Sequence, residues 1–233
     1  MFVKFKDYFT IATILLGFAV LLFSFEHKIQ IASALMIAGA VFDLLDGVVA
    51  RKTKTQNKFG AEFDCIADLV IYSMAPAIMT FFILYDYNKW YAIIVGSLPL
   101  LFGCLRLARF NVKRIEYPGY WIGLIRPASA FLIVSFLNTK LATNPIVTGI
   151  YVLIVSVLNV TLIPYIGHHK RKINFATKII LILLVIGVIT SAFVGYFWEA
   201  LLAISILYLL SPLFIPKKEK TEIKKFIEEW KKE

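Results

Sequence analysis

Long runs of apolar residues separated by short polar segments dominate the hydropathy pattern of this chain. Eight of these runs approach the ~20 residues that a helix needs to cross a bilayer. We therefore predict an all-α integral membrane protein with about eight transmembrane helices. The predicted spans are 8–25, 29–50, 63–85, 90–110, 119–137, 144–166, 174–194 and 196–215.

The C-terminal segment KKEKTEIKKFIEEWKKE has a different pattern. Its apolar residues recur at the i, i+3, i+4, i+7 spacing of a narrow helical stripe. Such a helix either packs on the protein's own loops or lies in the membrane interface against anionic lipid, and we favour the interfacial helix. We predict a single transmembrane catalytic domain over 1–215 and a cytoplasmic amphipathic tail over 216–233. The stripe consists of Ile223, Phe226, Ile227 and Trp230.

Composition supports a membrane location. Of the 233 residues, 60% are hydrophobic and 17% are charged, whereas soluble domains average ~45–50% and ~25%. The net charge of +10 is typical of basic cytoplasmic loops in a membrane protein, so we expect no nucleic-acid partner. Cys65 and Cys104 lie in apolar stretches without zinc-ligand spacing, which argues against a metal or disulfide framework built on cysteine.

The basic residues fix the expected topology. With eight spans and both termini on one side, twenty Lys and Arg residues fall on that side, and Lys28, Lys89 and Lys140 fall on the other. Loops rich in Lys and Arg remain in the cytoplasm. We therefore predict a multi-pass cell-membrane protein whose termini both face the cytoplasm.

Four acidic residues lie in or beside the second and third spans, where carboxylates are costly. Each charged side chain near the bilayer centre costs ~2.5–3.5 kcal/mol. Unpaired, the four would consume a large fraction of the net stability of a protein. Something must therefore neutralise Asp43, Asp46, Asp64 and Asp68.

The spacing of these carboxylates predicts that they converge. Asp43 and Asp46 share one helix face, and Asp64 and Asp68 share a face of the following helix. The short connection between the two helices makes them antiparallel neighbours. Like charges held close together repel unless cations intervene. Oxygen ligands without nearby His or Cys favour Mg²⁺ or Mn²⁺ over zinc.

Small residues and an arginine accompany the carboxylates. Gly47 and Ala50 leave space on the first acidic face, and Gly60 does so on the second. Arg51 lies at the cytoplasmic mouth, where a guanidinium binds phosphate well. These features indicate an enzyme site for a nucleotide diphosphate. The alternative is an ion or proton transporter with intramembrane carboxylates, which would not obviously need Arg51 or the glycines.

These residues form a pattern that resembles the signature of the CDP-alcohol phosphatidyltransferases. All eight defining positions are present at the expected spacing, and the resemblance covers about the first two-thirds of the chain. It implies a CDP-linked lipid bound at the cytoplasmic surface, with its diphosphate on two divalent metal ions, and a homodimer. The matching residues are Asp43, Asp46, Gly47, Ala50, Arg51, Gly60, Asp64 and Asp68.

The resemblance also implies a role for each position. Asp43, Asp46, Asp64 and Asp68 would hold the metal ions. Asp68 would also take the proton from an acceptor alcohol, whose oxygen attacks the lipid-side phosphorus and expels CMP. Of the remaining signature residues, Gly47, Ala50, Arg51 and Gly60 would contact the CDP-lipid. Near the N-terminus, Asp7 and Thr10 match a further nucleotide-binding pattern, although Lys6 stands where proline is common.

The segment LRLARFN at 105–111 resembles the phosphatidylserine synthase branch of this family. That branch implies L-serine as the acceptor, with glycerol phosphate, inositol phosphate or another alcohol as alternatives. A guanidinium fork suits the serine carboxylate; the alternative roles of the arginines are pairing with the aspartates or snorkelling to headgroups. The predicted serine-binding residues are Arg106, Arg109, Asn111 and Arg126.

Overall fold

The computed structural model describes residues 4, 6–53, 57–113, 115, 117–167, 187, 190–192 and 194–232, which are predominantly helical. Four helical stretches are long and apolar enough to cross a membrane. They confirm the first four predicted spans and indicate a multi-pass membrane protein. These stretches are α1 (Asp7–Phe25), α2 (Ile29–Thr53), Lys58–Tyr85 and α5 (Lys89–Val112).

The third stretch has three parts. It consists of α3 (Lys58–Leu69), a π-helical turn (Val70–Met74) and α4 (Ala75–Tyr85). Asn57 caps α3, since its side chain accepts a hydrogen bond from the Gly60 amide at 2.7 Å. This helix therefore begins five residues before the predicted span and places Gly60, Asp64 and Asp68 on one continuous element.

The π-helical turn lies where other helices approach closely. A Cβ atom at Gly17 of α1 would lie 2.6 Å from Val70 Cγ1, and one at Gly39 of α2 would lie 2.6 Å from Ile71 Cδ1. Such separations are too short for real side chains, so glycine at both positions lets α1 and α2 pack directly against the turn. The turn thus joins the carboxylate-bearing half of the span to its neighbours.

Three later predicted spans form shorter helices. These helices are α6 (Arg126–Leu137), α7 (Pro145–Leu158) and α8 (Phe197–Leu209), of 12, 14 and 13 residues. At 1.5 Å per residue they are shorter than the ~30 Å hydrocarbon core. The prediction of one full-length helix in each of these regions is therefore wrong. The predicted span 174–194 lies almost entirely outside the described residues, so eight spans are not confirmed.

Residues that interrupt helical geometry explain why these helices are shorter than the predicted spans. The structure pairs β1 (Tyr120–Ile122) with β2 (Pro164–Ile166) in antiparallel register, with Trp121 opposite Tyr165. Gly119 and Gly123 flank β1 with φ near +80°, a conformation that interrupts a helix. Counting apolar residues did not detect these interruptions. Short 3₁₀ turns occupy Lys140–Thr143 and Ser211–Phe214.

The tail forms the predicted amphipathic helix, α9 (Lys217–Lys232). Its apolar stripe packs on the protein itself: Ile223 and Ile227 are buried with Tyr120, Ile122 and Ile215. Lys113 Nζ at the end of α5 donates a hydrogen bond to the Trp230 carbonyl at 2.7 Å. The preference for insertion of this stripe into the membrane interface is therefore corrected, because the paired strands β1 and β2 cover it.

Candidate active site

The acidic residues of α2 and α3 meet where these helices come together. One carboxylate oxygen from each of Asp43, Asp64 and Asp68 lies within 4.8 Å of the others. Asp46 is buried beside this group and interacts electrostatically with Asp43 and Asp64. We name Asp43, Asp46, Asp64 and Asp68 the acidic cluster. The helical spacing in the sequence thus agrees with the convergence of Asp43, Asp64 and Asp68 in the structure.

Side chains from other elements hold three members of the acidic cluster. Asp46 Oδ2 accepts a hydrogen bond from Thr10 Oγ1 of α1 at 2.8 Å. Asp43 Oδ2 accepts one from the Tyr72 hydroxyl, in the π-helical turn, at 2.8 Å. Asp68 Oδ2 forms an ion pair with Arg126 NH2 at 2.9 Å. These contacts fix the carboxylates, as outer partners commonly orient metal ligands.

The acidic cluster fits a hard divalent cation. Asp64 Oδ1 is buried without a hydrogen-bond partner, which is costly unless a ligand satisfies it. Its neighbours are carboxylate oxygens, the donors that Mg²⁺ and Mn²⁺ prefer. The repulsion among the four carboxylates would fall on cation binding. The residues present therefore match the predicted metal site.

The N-terminal residues flank the acidic cluster from α1. Thr10 is fully buried against Asp46, as its hydrogen bond requires. Asp7 is also fully buried, but it pairs with Lys6 Nζ at 2.9 Å and accepts a hydrogen bond from the Lys4 amide at 2.6 Å. From the sequence, Lys6 was counted among the cytoplasmic basic residues, at a position where proline is common. In the structure it is a buried cation that interacts electrostatically with Asp46 and Asp64.

The small signature residues border the same region. A Cβ atom at Gly47 would lie 3.8 Å from the guanidinium of Arg51, which is exposed. Ala50 is buried on the same helix. Gly60 is buried, and a Cβ atom there would collide with Lys6 Nζ and with the capping oxygen of Asn57. The missing side chain at Gly60 therefore accommodates the Lys6 ammonium and the start of α3.

A cavity of about 220 Å³ opens beside Asp68. Arg126 and Arg106 provide its positive charge, and Phe110 and Trp121 provide aromatic walls. Sequence reasoning missed both aromatic residues, since neither has a diagnostic spacing to the carboxylates. The cavity has room for a small organic molecule. Its lining residues are Asp68, Arg106, Leu107, Phe110, Trp121, Ile125, Arg126 and Pro127.

The other predicted serine-binding residues are Arg106, which also lines this cavity, Arg109 and Asn111. Arg106 NH1 donates to the Asn159 carbonyl at 2.8 Å, and Arg109 NH1 donates to the Val160 carbonyl at 2.8 Å. Both guanidinium groups therefore attach the end of α7 to α5, and neither pairs with an aspartate in the described part of the chain. Asn111 is exposed and does not line the 220 Å³ cavity. The serine-binding assignments of all four residues, including Arg106 and Arg126 in the cavity lining, remain predictions.

Comparison with known proteins agrees with this geometry. Residues 6–210 match the sequence profile of the CDP-alcohol phosphatidyltransferases. A Helicobacter pylori protein named CDP-diacylglycerol–serine O-phosphatidyltransferase is 34% identical over 188 residues, covering 77% of this chain and 78% of its own. A Methanocaldococcus jannaschii protein of the same name is 34% identical over 185 residues, covering 78% and 84%.

A third relative has a different name. The archaetidylserine synthase of Methanothermobacter thermautotrophicus is 33% identical over 167 residues, covering 70% of each chain. The profile match spans most of the chain and includes the acidic cluster. The chain therefore belongs to the CDP-alcohol phosphatidyltransferase family.

Proposed function

We propose that this enzyme is a CDP-lipid:L-serine O-phosphatidyltransferase, which transfers the lipid phosphate to the serine hydroxyl and releases CMP. The observation that carries the proposal is the position of Asp68, which belongs to the acidic cluster and also lines a basic cavity. The names of the relatives support serine as the acceptor. They include both a diacylglycerol and an archaeol lipid, so the lipid is CDP-diacylglycerol or CDP-archaeol.

The donor binds at the acidic cluster in this proposal. The four carboxylates would hold two Mg²⁺ or Mn²⁺ ions, which when bound would supply positive charge to neutralise the diphosphate and the charge that develops on CMP. Arg51 is exposed beside Gly47 and contacts a phosphate group. Thr10, Asp7, Ala50 and Gly60 surround the nucleotide region.

The acceptor binds in the 220 Å³ cavity. The Arg126 guanidinium receives the serine carboxylate, and its ion pair with Asp68 brings the serine hydroxyl toward that base. Asp68 accepts the hydroxyl proton as the serine oxygen forms a bond to the lipid-side phosphorus. The bond from that phosphorus to the CMP oxygen breaks, and CMP leaves with the bonding electrons. A positioned base of this kind contributes about 10²–10⁴-fold to rate.

The distribution of basic residues supports a cytoplasmic orientation of the active site. Arg51, Lys52, Lys58 and Arg109 lie on the helix ends nearest the acidic cluster, and such residues remain in the cytoplasm. We therefore place the active site and both termini on the cytoplasmic side of the cell membrane. The catalytic domain spans 1–215, and the tail spans 216–233. A homodimer is proposed on the family resemblance alone.

An acceptor assay tests the function. Purified protein in detergent micelles would receive CDP-diacylglycerol or CDP-archaeol, Mn²⁺ and one alcohol, with CMP release followed over time. We expect CMP release with L-serine, and formation of the serine phospholipid detected by mass spectrometry. Glycerol phosphate and inositol phosphate are the comparison acceptors. Chelation of the divalent ions should abolish release.

Each outcome of the assay distinguishes one hypothesis. CMP release with only glycerol phosphate or inositol phosphate would contradict the serine assignment while retaining the chemistry. Absence of CMP release with every alcohol would favour the cation-coupled transporter. D-serine has the same functional groups in the opposite stereochemical configuration. It is therefore the matched control for binding of the acceptor in the cavity.

Tyr72→Phe should weaken the response to divalent ions. The substitution removes only the hydroxyl that donates to Asp43 Oδ2. Loss of an outer partner of a metal ligand typically costs ~10–100-fold in metal affinity or activity. We expect the Mn²⁺ concentration for half-maximal CMP release to rise by about tenfold or more, with a smaller change at saturating Mn²⁺.

Tyr151→Phe is the matched control for this substitution. Tyr151 also donates its hydroxyl to a single acceptor, the Leu132 carbonyl at 3.2 Å, and lies away from the acidic cluster. It should leave the Mn²⁺ dependence unchanged. Equal Mn²⁺ dependence in Tyr72→Phe and the unsubstituted protein would show that Tyr72 does not position Asp43.

A further inference from the structure

A second cavity, of about 480 Å³, lies between α9 and the segment leading into β2. Ile163, Pro212 and Ile223 contribute to its apolar walls. It shares no lining residue with the cavity beside Asp68. The proposed transfer reaction leaves this second cavity without a role. We name it the tail cavity.

Three lysines of α9 line the tail cavity: Lys220, Lys224 and Lys231. They follow one another at intervals of four and seven residues, so they share one face of the helix. All three are exposed, and none forms an ion pair within the described part of the chain. Glu228 is the one acidic residue in the lining. The charged side chains at the rim of the tail cavity therefore carry a net positive charge.

The tail cavity lies next to residues suited to a bilayer. Pro212 lies in the short 3₁₀ turn Ser211–Phe214, in which the exposed fractions of Leu213 and Phe214 are 74% and 73%. This turn directly follows the apolar helix α8. Large exposed apolar side chains beside a lysine-lined rim are typical of the boundary between acyl chains and headgroups. A ligand here meets apolar walls and cationic groups together.

We propose that the tail cavity binds an anionic phospholipid of the cytoplasmic leaflet. The headgroup phosphate contacts Lys220, Lys224 and Lys231, and an acyl chain lies against Ile163 and Pro212. A free phosphate ion would use the lysines but not the apolar walls, and a neutral lipid would use only the walls. The bound lipid bridges α9 and the β2 segment, so it stabilises the docked tail.

Native mass spectrometry of the full-length protein in detergent tests this proposal. Phosphatidylglycerol and phosphatidylcholine would be supplied separately, and the bound lipids would be counted after delipidation. We expect retention of phosphatidylglycerol only. The triple substitution Lys220→Gln, Lys224→Gln and Lys231→Gln should weaken that binding about tenfold or more, because each lysine near an anionic headgroup adds to the affinity. The unfolding temperature gained with phosphatidylglycerol should fall in parallel.

Two further variants separate the cavity from general surface charge. Lys217→Gln, Lys218→Gln and Lys225→Gln remove the same charge from α9 residues outside the lining, and this triple variant should keep the lipid. Ile163→Trp fills the tail cavity without changing charge, and it should lose the lipid. Loss of comparable size in both lysine variants, or retention in Ile163→Trp, would overturn the proposal. Displacement of phosphatidylglycerol by inorganic phosphate would overturn it as well.

Discussion

Asp68→Asn should lower turnover by about 10²–10⁴-fold while preserving CDP-lipid binding. The amide keeps the shape of the side chain and one carbonyl oxygen, but it cannot accept the proton of the acceptor hydroxyl. Asp68 is the member of the acidic cluster that also lines the 220 Å³ cavity. Steady-state CMP release measures turnover, and equilibrium titration with CDP-lipid in the presence of Mn²⁺ measures donor binding.

Glu62→Gln is the control for Asp68→Asn. Glu62 lies on the same helix but is exposed, and it does not belong to the acidic cluster. This substitution makes the same carboxylate-to-amide change and should leave turnover within about twofold, as expected for a surface residue. Undiminished turnover in Asp68→Asn would exclude Asp68 as the base. Loss of donor binding together with turnover would assign it to metal binding alone.

Arg126→Ala should raise the KM for serine about 30- to 100-fold, with a much smaller change in the KM for CDP-lipid. The magnitude is that of a lost charge-assisted hydrogen bond, worth about 2–3 kcal/mol. The Arg126 side chain is only 12% exposed and is held by Asp68 at one side of the cavity. Initial rates measured over both substrates give the two KM values separately.

Arg126→Lys and Lys89→Ala complete this test. Lysine retains the charge but not the planar fork, so Arg126→Lys should recover part of the serine affinity. Lys89 is an exposed cation at the start of α5, the end opposite Arg106 and Arg109, and its removal should leave both KM values unchanged. Equal rises of both KM values in Arg126→Ala would indicate a structural role for that arginine.

The acidic cluster is largely predictable from sequence because its spacing is local. Helices in a bilayer satisfy their backbone groups internally, so residues at i, i+3 and i+4 share a face whatever surrounds them. The connection between α2 and α3 is short, so the two helices are neighbours. Their acidic faces, with Asp43 and Asp46 on α2 and Asp64 and Asp68 on α3, can therefore converge. Tyr72 was also within reach of this reasoning, since it follows Asp68 by four residues.

The partners of the acidic cluster were harder to predict. Arg126 follows Asp68 by 58 residues along the chain, and only tertiary packing brings the start of α6 beside Asp68. The pairing of β1 with β2 was missed because both strands lie in apolar runs that also fit a membrane helix. The Pro118-Gly119 pair is a turn signal that the hydropathy pattern does not register. The apolar face of the tail helix was predicted correctly. In the structure, however, that face packs against another part of the same protein and not against lipid.

The π-helical turn has a consequence for how the active site is built. It holds one residue more than an α turn, and one residue of an α-helix corresponds to a rotation of about 100°. Val70–Met74 therefore sets the angular phase between α3 and α4 within a single membrane crossing. If Val70–Met74 formed a regular α-helical turn, Asp64 and Asp68 would be rotated about the helix axis, away from α2, by more than a quarter of a turn. The alignment of the acidic cluster is thus encoded in the winding of the main chain.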